Sequence, residues 1–215
     1  MDMQGLEFRW LSLVNALNKS NEGSLNSATN AKQHFNILAE KYAEPVRHYH
    51  TLAHIYACLQ HFDSIVASIS KPVEIELAIW FHDAIYNPTS QTNEEDSALF
   101  ARQFLTSIDC RTETIEAVAQ HIVATKHPAE PNSQDQAFLL DIDLAILGAD
   151  SALYEKYEKW IRAEYQHVPI PLYRTGRKSL LHSFMAPSRI YRTDHFHALL
   201  EEQARANLAW AIQQL

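Results

Sequence analysis

Apolar residues recur at helical spacing along most of the chain. In residues 6–17, Leu6, Trp10, Leu13, Val14 and Leu17 mark one face of an amphipathic helix. Residues 18–26 are polar and contain Gly23 and Ser24, so they read as a loop. A second helix is predicted over about 29–43, ending ahead of Pro45, and a third opens after Arg47 and runs to about residue 69. Pro72 suits the first turn of a fourth, which carries the apolar run up to Tyr86. Asn93-Glu94-Glu95-Asp96-Ser97 is a helix start with acids in its first turn, and helices follow over about 94–107 and 112–125. The next runs over 136–147, stopped by Gly148; others cover 151–166, 172–185 and about 193 onward. With no alternating β-branched stretch, repeat or linker, the pattern predicts a single all-α domain.

Two segments depart from simple amphipathicity. Leu77-Ala78-Ile79-Trp80-Phe81-His82-Asp83-Ala84-Ile85-Tyr86 places a histidine and an aspartate inside an apolar run that ends at Asn87-Pro88. Read as helix, the neighbours of His82 are Ala78, Ile79, Ile85 and Tyr86, so both polar groups emerge from an interior-facing surface. A carboxylate there is costly unless paired, and a divalent cation satisfies an imidazole and a carboxylate together. A buried histidine capped by its neighbour is the plainer alternative. In Gln136-Ala137-Phe138-Leu139-Leu140-Asp141-Ile142-Asp143-Leu144-Ala145-Ile146-Leu147, two carboxylates lie in a helix apolar nearly all round. At ~100° per residue Asp141 and Asp143 point about 200° apart, so they serve different ends. One suits a metal; the other suits an inter-helix tie.

Histidines add candidates. His50 and His54 are one helical turn apart, and His54 lies in the apolar-periodic part, which favours it as a ligand. His50 stands near the helix start, where it can cap, bind a phosphate or support a ligand. The 28 residues from His54 to His82 suffice for an antiparallel helix pair to bring them together. His121 and His127 are weaker candidates, and His127 precedes Pro128 at a helix end. Composition narrows the partners. A net charge of −8 argues against a nucleic-acid-binding face, though not against a small anion held by local arginines. Cys58 and Cys110 have no metal-site spacing, so reduced thiols are expected. No apolar run nears the ~18–20 residues a bilayer requires, and no leader pattern opens the chain, so a cytoplasmic protein without membrane partners is expected.

In chain order His54, His82-Asp83 and Asp143 resemble the HD-domain superfamily of metal-dependent phosphohydrolases. Longer strings are similar to a sub-family of predicted HD-superfamily phosphohydrolases: Tyr49-His50-Thr51-Leu52-Ala53-His54-Ile55, Trp80 to Tyr86, Asn93-Glu94-Glu95 and Leu139 to Gly148. The similarity continues through Ile161-Arg162-Ala163-Glu164-Tyr165 to Glu202–Leu208. The resemblance implies an HD-type helical bundle over 1–215, with a metal-site core of about 46–148 and helices of about 151–215 packed on it. It implies one divalent ion (Mn, Co, Fe, Ni, Zn or Mg) on His54, His82, Asp83 and Asp143, with water activated to attack phosphorus and Asp83 in the catalytic centre. The substrate implied is a small phosphorylated molecule, a nucleotide being the leading candidate.

Several HD branches carry an acid three or four places after the doublet; Tyr86 and Asn87 stand there in this chain. Glu94 and Glu95, beyond a loop, are the nearest candidates for proton transfer. Arg47, His50, Lys126 and His127 are candidate phosphate contacts, as is the cluster Arg174, Arg177 and Lys178, with Arg47 foremost. Two other readings remain: a di-iron oxygenase, which needs two further histidines such as His121 and His127, and a metal-stabilised module without turnover.

Overall fold

A computed structural model describes residues 2–18, 26–126 and 130–215, and these form ten α-helices and no strand. They are α1 (Met3–Asn18), α2 (Asn26–Lys41), α3 (Leu52–Ile65), α4 (Pro72–Phe81), α5 (Asn93–Ser107), α6 (Thr112–Ala124), α7 (Gln134–Asp143), α8 (Ser151–Glu164), α9 (Ile170–Met185) and α10 (Asp194–Gln214). The all-α expectation holds. No helix among the described residues is long and apolar enough to cross a membrane. By packing, the chain forms two compact units: residues 1–45 with 50–130, and residues 46–49 with 131–215.

The first unit is built around α4. Pro72 starts it, and Ile75, Leu77, Ala78, Ile79, Trp80 and Phe81 are all buried, so it runs through the core. Trp10 of α1 meets Trp80 and Phe81 edge-on at 5.4 and 5.7 Å, and Phe104 of α5 joins them. Two buried polar tips are satisfied by backbone carbonyls: Trp10 Nε1 donates to Ala31 O, and the Tyr42 hydroxyl to Trp80 O. Arg9 bridges Asp63 of α3 and Glu76 of α4.

Two helix ends differ from the pattern-based reading, for non-local reasons. The apolar run to Tyr86 suggested continuous helix, but α4 stops at Phe81 and the chain turns. Ser97 of α5 accepts from Ile85 N and donates to Ile85 O, while Asn93 does the same for Asn87. Those side chains occupy backbone groups that a longer α4 would have paired internally, and Pro88 disfavours helix at Asn87. His82 and Asp83 therefore sit in the turn that follows α4. Likewise α3 begins at Leu52, with the Thr51 hydroxyl accepting from Ala53 N, so His50 lies ahead of the helix that carries His54.

In the second unit α7 ends at Asp143 and passes into a 3₁₀ segment, Leu144–Gly148. Gly148 does more than end a helix. A Cβ there would lie 2.6 Å from Leu200 Cβ and 2.9 Å from Leu200 O, so only glycine lets α10 come this close. Asn207 of α10 caps the segment by donating to Leu147 O and Ala149 O, both at 2.8 Å. Asp141 is fully buried and accepts from Arg192 N, Thr193 N and the Thr193 hydroxyl at 2.8, 2.7 and 2.6 Å. Of the two aspartates, Asp141 is thus the inter-helix tie. Replacing Asp141 with Ala strands those donors and is expected to lower stability by about 2–4 kcal/mol in urea unfolding. A change under about 0.5 kcal/mol, as at an exposed site, would show that the tie carries no weight.

Candidate metal centre

His54 projects from the first turn of α3, and only 5% of it is exposed. His82 follows the last residue of α4 and is equally buried. Its Nδ1 lies 2.9 Å from Ile79 O, which can only accept, so Nδ1 carries a proton, and whenever the ring is neutral its lone pair is at Nε2. That nitrogen faces His54 Nε2 at 3.2 Å and Asp83 Oδ2 at 3.0 Å; His54 Nε2 to Asp83 Oδ2 is 3.6 Å. With ligand bonds of about 2.1 Å, atoms sharing one ion stand about 3.0 Å apart on an octahedral edge and about 3.4 Å on a tetrahedral one. The separations fit a single shared cation, and the imidazole–carboxylate donor set suits first-row divalent metals.

Burial works to raise the pKa of Asp83, but His82, His50 and His54, when protonated, with a hydrogen bond from His82, hold it well below the usual carboxylate range. Cys58, one turn after His54, brings its Sγ within 3.7 Å of both ring nitrogens of that residue, a contact that i,i+4 spacing alone could have flagged. His50 stacks on Tyr86 with centroids 4.4 Å apart and planes at 28°, and its ring centroid lies 6.1 Å from that of His54. Tyr86, three residues after Asp83, is thus an aromatic partner of His50. Sequence spacing makes Tyr86 a neighbour of His82 and does not reveal its stacking on His50.

The remaining candidates each have surroundings of their own. Glu95 and Lys126, read separately as acid and phosphate contact, pair with each other at 2.7 Å on the exposed surface of the first unit; Lys126 also donates to Gln91 O. The hydrogen bond from Lys126 lowers the pKa of Glu95, which makes it a poor proton donor. Glu94 is half-buried in the first turn of α5. His121 is buried in α6, and His127 lies outside the described residues. Arg47 is buried in the second unit. Asp143, the last residue of α7, is half-buried there, and its charge raises the pKa of Tyr157, after burial as the main cause. Arg177 does not belong with exposed Arg174 and Lys178 as an anion contact: it is buried, and its Nε and Nη2 donate to Glu158 at 3.1 and 2.7 Å.

Because the imidazoles must be neutral to bind a cation, calorimetric titration with Mn²⁺ or Zn²⁺ is expected to show affinity falling as pH drops through the range of imidazole protonation. Asp83→Asn should weaken binding by more than the roughly 10–100-fold that outer partners of a ligand are worth; unchanged affinity would remove it from the site. No protein-family model matches the chain, and no curated protein or solved structure matches it either, so what this centre can do follows from its side chains.

Proposed function

We propose that the protein is a metal-dependent phosphohydrolase acting on a small phosphorylated molecule, with a nucleotide as the leading candidate. In this reading His54, His82, Asp83 and Asp143 hold one divalent ion. The observation that carries it is the approach of three donor atoms to 3.0–3.6 Å in the turn after α4 and the first turn of α3. The order His, His-Asp, Asp, resembling the HD-domain pattern, supports Asp143 as the fourth ligand.

A divalent ion bound there supplies Lewis acidity, acidifying water and polarising a phosphoryl oxygen. The chain's own groups do the rest. The Ile79 carbonyl fixes the tautomer of His82, and the ionised Asp83 offsets the cation's charge. Arg47 is the guanidinium for the phosphoryl group, and His50, braced by Tyr86, is a second contact. Glu94 is the better acid for proton transfer, since Glu95 is held by Lys126. A metal-stabilised binding module without turnover is the second reading, favoured by that pairing and by Tyr86 and Asn87 in place of an acid.

Metal-stripped protein reloaded with Mn, Co, Ni, Zn, Fe or Mg is expected to release phosphate from at least one member of a nucleotide and phosphoester panel. Stoichiometric metal binding with no turnover for any pair would establish the module instead. By elemental analysis, Asp143→Asn should lower metal content while Asp141→Asn leaves it; the reverse order would mean the wrong aspartate is assigned. Glu94→Gln should slow turnover at full metal occupancy by about 10²-fold or more, with Glu95→Gln the milder of the two. Unaffected turnover in both removes them from the mechanism.

A further inference from the structure

Residues 46–49 pack with the second unit although the chain on both sides of them belongs to the first. Their partner is Glu164, the last residue of α8, only 1% exposed. One of its carboxylate oxygens accepts both His48 N and Tyr49 N at 2.7 Å. Two successive amides aimed at one point make an anion-binding concavity, and here the anion is the protein's own side chain. The Tyr49 ring braces the same turn, standing edge-on to Tyr157 of α8 with centroids 4.6 Å apart. A carboxylate this buried is costly unless charge-assisted bonds of this kind offset the loss of water. What the pair of bonds fixes is the backbone just after Arg47, itself only 6% exposed.

We propose that Glu164 is a positioning residue: by clamping the amides of His48 and Tyr49 it sets the direction in which Arg47 meets a phosphoryl group. The proposal rests on the phosphohydrolase reading and deepens it. It separates two kinds of damage. Losing Glu164 lets the Arg47 backbone relax, which weakens anion binding, but it takes no ligand from the metal. Gln at the same position keeps a carbonyl oxygen able to accept both amides, so geometry and charge can be told apart.

The test uses the full chain loaded with Mn²⁺ and inorganic phosphate as the probe, with both affinities measured calorimetrically. Glu164→Ala is expected to weaken phosphate binding about tenfold or more, and Glu164→Gln to restore most of it, with Mn²⁺ affinity unchanged in each. In an Arg47→Ala background Glu164→Ala should add less than about twofold, because the two act through one contact. Should Glu164→Ala fail to fold, Glu164→Asp, one methylene short of the amides, takes its place in the cycle. Phosphate affinity unchanged by the substitution, or the full loss recurring without Arg47, would overturn the positioning role while leaving the phosphohydrolase reading intact. Wild-type protein that binds Mn²⁺ but no phosphate would overturn both.

Discussion

Everything at the candidate centre depends on how an ionised carboxylate is tolerated at the end of an apolar helix. Asp83 follows a helix whose last turn, Ala78 to Phe81, is wholly buried, and its Oδ2 is met by imidazole nitrogens at 3.0 and 3.6 Å. Burial alone would drive the acid toward its neutral form; the histidines reverse that. The same arrangement brings two imidazole nitrogens within 3.2 Å of each other beside that carboxylate, a donor set suited to a cation when the rings are neutral.

The second unit handles its buried acids differently. Asp141 takes the consecutive amides of Arg192 and Thr193, Glu201 those of Ile190 and Tyr191, and Glu164 those of His48 and Tyr49. Backbone amides cannot titrate or leave, so such acids act as clamps, and Glu201 takes His197 and Arg205 in addition. Asp83 is partnered by two imidazoles, groups that exchange protons or bind metals. The consecutive amides mark the acids that hold the fold.

Much of this was legible in the sequence because it is local. Helical spacing located the elements, the acids at Glu94 to Asp96 marked the start of α5, and the opposed directions of Asp141 and Asp143 foretold that one would be a tie. What escaped depends on residues far along the chain. Nothing near Ile85 reveals that Ser97 will take its backbone bonds, so α4 reads too long. Nothing near Arg177 reveals Glu158, nineteen positions earlier, so a buried ion pair reads as an open basic patch. The pairing of Glu95 with Lys126 and the stacking of His50 on Tyr86 are of the same kind.

The central claim is that two imidazoles and a carboxylate share one cation, and X-ray absorption at the edge of a bound metal reads that shell directly. Protein loaded with Mn, Co or Zn and freed of excess ion should show imidazole scattering from two histidines alongside oxygen. A shell of oxygen alone, or no metal retained after removal of the excess, would contradict the account.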